Sequence, residues 1–139
     1  MSQARYVRLY ADEEGESHFE EVTVDLTPMD FAPPAPPLQV ASLFPATHCA
    51  FVFGPPGWDG AIPHPAPRRQ LFCTLRGAYE ITASDGATRR FSAGSVLLFE
   101  NTFGKGHSTR VLEEEPALVV AVTLPDEEAS DTPDQPANH

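Results

Sequence analysis

The chain has 139 residues, of which 41% are hydrophobic, and its 20 acidic and nine basic side chains give a formal net charge of −11. This length fits one domain. The acidic balance argues against nucleic acid and against an anionic membrane surface as partners, because both are recognised by clustered Lys and Arg side chains.

Two strand-like segments and a proline-rich connector make up the predicted N-terminal region, residues 1–37. Arg5–Tyr10 and His18–Leu26 are β-type segments bounded by turn residues, and each predicts a strand. Five prolines lie between Pro28 and Pro37. Proline cannot donate a hydrogen bond to a β-ladder, so this stretch is predicted as an extended connector. The whole region is expected to pack on the rest of the domain or to pair with it.

Residues 38–125 carry a longer series of short β-type segments, and no stretch shows a sustained helical pattern. The turn signals Ser84-Asp85-Gly86 and Ala93-Gly94 separate neighbouring segments. About nine or ten short strands at this spacing predict an all-β fold, closed or sandwiched, with a jelly roll among the options. The segments are Leu38–Phe44, His48–Phe53, Gln70–Leu75, Tyr79–Thr82, Val96–Phe99, His107–Leu112 and Ala117–Leu124.

The end of the chain has a different composition. After Pro125 there is no aromatic side chain, and acidic residues dominate. Such a segment buries too little apolar surface to offset the entropy of ordering it. Residues 126–139 are therefore predicted to form a disordered acidic tail.

Cys49 and Cys73 are the only cysteines. Free cysteines are often buried, so two buried thiols are predicted, with a disulfide as the alternative. The N-terminus lacks the pattern of a secretory signal, and no apolar run reaches membrane-spanning length. A cytoplasmic location is expected.

The stretch from Gly57 to His107 carries a family resemblance in its first half. With Gly77 as its final glycine, the segment resembles the cupin motif G-x5-H-x-H-x3,4-E-x6-G. His64 then takes the first histidine position and Gln70 the glutamate position. Ala66 stands where the motif has its second histidine.

The second half resembles the cupin motif G-x5-P-x-G-x2-H-x3-N. Gly104 to His107 reproduces its G-x2-H end, and Gly94 is the leading glycine. Thr102 replaces the usual proline, and Val111 replaces the final asparagine. The chain is similar to small, single-domain bacterial cupins with a conserved barrel of the cupin-2 type, although its metal motif is degenerate.

The resemblance implies a cupin-type jelly-roll β-barrel over residues 38–125. It also implies a metal site with His64, Gln70 and His107 as ligands, and a homodimer that pairs through Arg5–Leu26. Two imidazoles on adjacent strands suit a divalent ion such as Fe, Mn, Ni or Zn. The neutral Gln70 oxygen would leave that ion more electrophilic than a carboxylate would, which favours Lewis-acid chemistry.

Other residues near these motifs are candidates for catalysis or substrate binding. Glu100 would act in catalysis beside His107 if it turns inward, and the alternation of a strand leaves its direction open. Lys105 would assist as an acid, a base or an anion anchor. Arg69 would clamp a carboxylate, and Trp58 would form a pocket wall or anchor a lid.

Two functions follow from this site. The first is a metal-dependent cupin enzyme, such as an isomerase, lyase or dioxygenase, acting on a small organic molecule, with anionic molecules among the options. A local pocket field can attract an anion despite the net charge. The alternative is a cupin that binds a small ligand without turnover and has a lost or vestigial metal site, because Ala66 cannot ligate a metal.

Overall fold

Twelve β-strands build the fold. The computed structural model describes residues 2–126, and no helix occurs among them. The strands are β1 (Gln3–Ala11), β2 (Ser17–Asp25), β3 (Thr27–Met29), β4 (Leu38–Val40), β5 (His48–Gly54), β6 (Asp59–His64), β7 (Gln70–Arg76), β8 (Ala78–Ala83), β9 (Thr88–Ser92), β10 (Val96–Phe99), β11 (His107–Val111) and β12 (Ala117–Thr123). The predicted tail, 126–139, lies outside the described residues except for Asp126.

Two sheets face each other. One has the strand order β2-β1-β10-β7-β12-β5, and the other has the order β6-β11-β8-β9. From β5 to β12, consecutive strands lie in opposite sheets except for the β8–β9 hairpin, so that four strands, β5-β12-β7-β10, face the other four, β6-β11-β8-β9. This is the strand order of an eight-stranded jelly roll. The all-β, cupin-type jelly roll that the resemblance implied is therefore confirmed.

The N-terminal strands extend one sheet of this jelly roll. β1 pairs in parallel with β10, and β2 pairs with β1 over their whole length. In the chain segment that follows β2 and precedes β5, β3 and β4 pair as a short two-stranded ribbon on either side of the proline-rich connector. Because β1 contributes Leu9 to the buried core, the N-terminal region is part of the same packed structure.

The core lies between the sheets. Successive side chains of a strand point to opposite faces, so each strand sends alternate residues inward. Along β12 these are Ala117, Val119 and Ala121, all buried, whereas the residues between them are partly exposed. The most deeply buried large side chains come from four different strands: Leu9, Ile81, Phe91 and Leu97. Full burial of each contributes about 1.5–3 kcal/mol.

The cysteine prediction was half wrong. Cys49 is exposed because it lies on β5, which is an edge strand, whereas Cys73 on the inner strand β7 is half-buried. Both thiols are free. Burial raises the pKa of the Cys73 thiol.

No described segment forms a helix long and apolar enough to cross a membrane.

A histidine links two hairpin turns at one end of the fold. His18 Nε2 lies 2.8 Å from Asp12 Oδ2, and His18 Nδ1 lies 2.8 Å from Asp85 Oδ2. As imidazolium, His18 donates to both carboxylates. Hydrogen bonds to Asp12 and then to Asp85 raise the pKa of His18.

This arrangement predicts a pH-dependent contribution to stability. A raised pKa means that the contribution is complete below the unfolded pKa of about 6.5 and is lost as the pH rises through the folded pKa. The free energy of unfolding of the wild type should exceed that of His18→Gln most at about pH 5.5, where both carboxylates remain ionised. Urea unfolding of both proteins at about pH 5.5 and about pH 8 measures this. A difference that grows toward the higher pH would contradict the assignment.

Candidate functional site

A pocket of about 340 Å³ opens inside the jelly roll. Its walls come from both sheets and are mostly apolar, with Phe72, Tyr79, Ile81, Phe99, Val111 and Val119 among the lining residues. Four polar side chains also line it, and these are His64, Gln70, His107 and Thr109. Among residues 2–126, no Asp, Glu, Lys or Arg lines this pocket. The volume is at the small end of the range for ligand sites.

His64 and His107 face each other across two paired strands. They are register partners between β6 and β11, and their ring centroids are 5.2 Å apart. The register between the strands shifts here, because β6 advances four residues from Gly60 to His64 where β11 advances two. Pro63 lies in the extra stretch and has no N–H to donate to the ladder, which explains why a bulge forms there.

Asn101 and Gly106 hold the two histidines in place. The Asn101 side-chain amide lies 2.8 Å from His107 Nδ1, and its backbone carbonyl accepts a hydrogen bond from Ala66 N–H. Gly106 has a φ of +82° and lies directly against the backbone of His64 and Pro65. A single buried asparagine and one glycine therefore connect the two histidine-bearing segments.

Hydrogen bonds give the two imidazoles opposite tautomers. His64 Nδ1–H donates to the Pro65 carbonyl oxygen at 2.8 Å, so the Nε2 of neutral His64 carries a lone pair. With the Asn101 amide in this orientation, its Nδ2 lies against His107 Nδ1, which then accepts, so that His107 Nε2 carries the proton. One ring offers an acceptor nitrogen and the other a donor.

His107 is neutral in this environment. It is 4% exposed, and its ring also packs against Phe99 with centroids 5.2 Å apart. Burial, together with the nearby His64, lowers the pKa of His107 to about 4. The ring therefore stays uncharged at neutral pH.

The structure brings some of the predicted site residues together. All three predicted metal ligands, His64, Gln70 and His107, line the pocket, and so does Trp58. The Trp58 ring packs against Gly60, where an added Cβ would lie 2.7 Å from the indole. Trp58 is 47% exposed and so forms an outer wall of the pocket.

Glu100, Arg69 and Lys105 are not among the lining residues, which departs from the expectation for them. Glu100 forms ion pairs with Arg8 and Arg69, so its carboxylate turns away from the pocket. Arg69 also donates to the Pro125 carbonyl oxygen. Burial by itself raises the pKa of Glu100, but the hydrogen bonds and charges of the two arginines outweigh it and lower that pKa.

Lys105 is held on the outside of the same loop. Its Nζ donates to Glu16 Oε1 at 2.8 Å, and the side chain is mostly exposed. Glu16 comes from the turn between β1 and β2, whose Gly15 packs against Gly104. The lysine thus pairs with a carboxylate outside the pocket, and its ammonium group does not lie at the pocket mouth as an anion anchor would.

Two lining or supporting residues were not singled out as functional by the sequence. Asn101 is fully buried and orients His107, and the only sequence signal for it is its place in the motif segment before Gly104. Tyr79 was predicted only as the first residue of a β-type segment, yet it lines the pocket. Its hydroxyl is buried and has no hydrogen-bond partner among residues 2–126.

The donor set fits a metal ion only in part. Each ring centroid lies about 3.2 Å from an ion that its nitrogen binds at about 2.1 Å, so two imidazoles on one ion have centroids about 5 Å apart, close to the spacing here. Within the described part of the chain, no group of three His, Cys, Asp or Glu side chains is placed to hold an ion. Gln70 would supply the third ligand, and with the Asn101 amide in its present orientation the proton on His107 Nε2 keeps that nitrogen from ligating an ion.

No protein-family model matches the chain, and no curated protein does. Among solved structures, it is similar to a sugar phosphate isomerase of the cupin superfamily from Silicibacter pomeroyi, with 19% identity over 56% of this chain and 50% of that one and a TM-score of 0.45. The matched region thus spans about half of that protein's length.

Two further solved structures are similar to the chain. A Cupin 2 conserved barrel domain protein from Salinispora arenicola is 23% identical over 60% of this chain and 66% of that one, with a TM-score of 0.45. The cupin domain of Cnp3 from Schizosaccharomyces pombe is 22% identical over 92% and 88%, with a TM-score of 0.47.

Proposed function

We propose that this protein binds a small organic molecule in the jelly-roll pocket and holds one polar group of that molecule between His64 and His107. The opposite tautomers of the two rings are the observation that carries the proposal. A hydroxyl or an amide both donates and accepts hydrogen bonds, so it matches one bare nitrogen and one N–H. The apolar walls bury the remainder of the ligand, at roughly 25 cal/mol per Å² of apolar surface.

The protein groups behind the pair keep it ready for binding. Asn101 is buried and holds the His107 ring by its Nδ1, and the Pro65 carbonyl holds the His64 ring. Side chains that are fixed before the ligand arrives lose little entropy when it binds. The same pair places a nitrogen that can accept a proton beside an N–H that can donate a hydrogen bond.

The experiment is a binding titration with uncharged alcohols. Phenethyl alcohol and octanol are added to the wild type and to His107→Leu, and the emission of Trp58 is followed. We expect saturable binding to the wild type and a loss of about tenfold in affinity in the variant, since one hydrogen bond is removed. His48→Ala is the matched control, because His48 is exposed and does not line the pocket. Equal affinity in His107→Leu, or no binding by the wild type, would contradict the proposal.

A metal-dependent cupin enzyme is the second candidate, and the 5.2 Å separation of the His64 and His107 rings favours it. His64, His107 and Gln70 would hold the ion. The Asn101 amide would then have to turn so that its Oδ1, which has no partner among the described residues, accepts from His107 Nδ1–H. A divalent ion there would supply Lewis-acid chemistry.

Elemental analysis tests this second candidate. The wild type, His64→Ala and His107→Ala are expressed with Fe, Mn, Ni and Zn in the medium, and the metal content of each purified protein is measured. The metal-dependent function requires near-stoichiometric metal in the wild type and its loss in both variants. Equal metal content in all three proteins, or a wild type that takes up none, rejects it.

A further inference from the structure

We infer that the pocket selects an uncharged ligand with an aromatic or aliphatic body, and that it rejects carboxylates and phosphates. This inference rests on the proposed binding function and names its ligand class. The observation behind it is that, within the described residues 2–126, the pocket is lined by no acidic side chain, no lysine and no arginine.

The two predicted anion-binding cations, Arg69 and Lys105, are already paired. Arg69 and Arg8 both contact Glu100, and Lys105 contacts Glu16. An anion that enters the pocket therefore finds neither cation free, and recruiting one of them would break an existing ion pair.

Desolvation makes this selection strong. A carboxylate that leaves water for an apolar pocket keeps its charge only if a cation or several hydrogen bonds replace the water. Here the wall next to His107 is aromatic, with the Phe72 and Phe99 rings packed edge to face at 4.8 Å. That wall packs well against apolar groups, but it has no cation and no hydrogen-bond donor for an anion.

The test compares two probes with the same carbon skeleton. Phenethyl alcohol and phenylacetate are titrated against the wild type, and the emission of Trp58, the only tryptophan in the chain, reports binding at the pocket. We expect phenylacetate to bind at least about tenfold more weakly than the alcohol. A lysine placed among the lining residues by Gln70→Lys should raise the affinity for phenylacetate and not that for the alcohol.

The outcomes separate this inference from the binding function. If phenylacetate binds as tightly as phenethyl alcohol or more tightly, the ligand class is wrong while the pocket remains a binding site. If neither probe binds at all, the proposed function fails and the ligand class fails with it. A thermal melt of Gln70→Lys confirms that this variant is folded before its titration is compared.

A different observation carries a second inference: we infer that the edge strand β5 pairs with the β5 of a second copy of this chain. β5 has no charged side chain and no proline, and Phe51 and Phe53 on it are 75% and 58% exposed. The other edges of the two main sheets are protected, because β2 carries Glu20 and Glu21, β6 carries Pro63, and β9 carries two arginines. Charges and prolines on edges prevent pairing, and β5 lacks both.

A second copy suits this edge better than other occupants do. Antiparallel pairing of β5 with itself about a twofold axis is self-complementary, and it joins two sheets through backbone hydrogen bonds without bringing charges together. The two phenylalanines alone expose roughly 270 Å², about a third of what each partner of a stable complex buries. Residues 127–139 include no large apolar side chain that could cover them.

Sedimentation velocity at micromolar concentration tests the pairing. We expect the wild type to be a dimer and Phe51→Lys to be a monomer, because the new charge would face its own copy. Thr23→Lys, on the already charged edge strand β2, is the matched control and should remain a dimer. The inference would be overturned if the wild type were a monomer or if Phe51→Lys were a dimer. It would also be overturned if Thr23→Lys were a monomer, because the interface would then lie at Arg5–Leu26.

Discussion

Replacement of Gly106 by alanine is expected to destabilise the protein by about 3 kcal/mol or more and to displace His64 from His107. Gly106 has a φ of +82°, where a Cβ is strained in itself. An added Cβ would also overlap the carbonyl group of His64 and lie 2.7 Å from Pro65 N. Both neighbours are backbone atoms, so β6 would have to move, and the imidazole with it.

Gly86 supplies the matched control for this substitution. Its φ is +95°, but nothing lies within 4 Å of an added Cβ. Gly86→Ala should therefore lower the free energy of unfolding only by the backbone strain of a positive φ, about 1–2 kcal/mol. Urea unfolding measures both variants, and the alcohol titration should show that Gly106→Ala alone weakens binding. Equal destabilisation by the two substitutions would mean that the contact between Gly106 and His64 is not as tight as described.

Replacement of Glu100 by glutamine is expected to destabilise the protein by about 2 kcal/mol and to leave alcohol binding unchanged. The carboxylate accepts hydrogen bonds from Arg8 and Arg69 and is mostly buried between them. Glutamine keeps the shape but loses the charge, which leaves Arg69 without a counter-ion among the described residues and Arg8 with Glu20 alone. Because Glu100 does not line the pocket, the ligand should not sense the change.

The pH dependence of this effect has a definite sign. The two arginines hold the pKa of Glu100 below its ordinary value in spite of burial. A lowered pKa contributes stability that is present above the unfolded pKa of about 4.3 and is lost as the pH falls through the folded pKa. The difference in unfolding free energy between wild type and Glu100→Gln should thus shrink below about pH 4. If Glu100→Gln lost alcohol binding while its stability was unchanged, Glu100 would instead be part of the binding site.

Most strands could be predicted from local patterns, but β3, β6 and β9 were not among the predicted segments, and for β6 the cause is physical. The apolar runs of β7, β10 and β12 and the turn at Gly86 were visible in the sequence. β6 was not, because it contains Gly60 and Pro63 and bulges between them. A strand of that composition has no alternation to detect, and only pairing with β11 makes it one.

The site was predictable only in part for a similar reason. The motif spacing placed His64, Gln70 and His107 together, and the structure puts all three in one pocket. Glu100 and Asn101 are adjacent, however, and the sequence did not indicate which of the two side chains faces inward. In the structure it is Asn101 that is fully buried. The direction of Lys105 depends on Glu16, which is 89 residues away in the chain.

The central claim is that the two imidazoles meet the ligand with one acceptor and one donor nitrogen. Long-range proton–nitrogen NMR correlations of the histidine rings at about pH 8, assigned with His64→Ala and His107→Ala, read the tautomers directly. The account predicts that His64 carries its proton on Nδ1 and that His107 carries its proton on Nε2. Finding both protons on Nδ1 would contradict it and would leave the two Nε2 atoms arranged as metal ligands are.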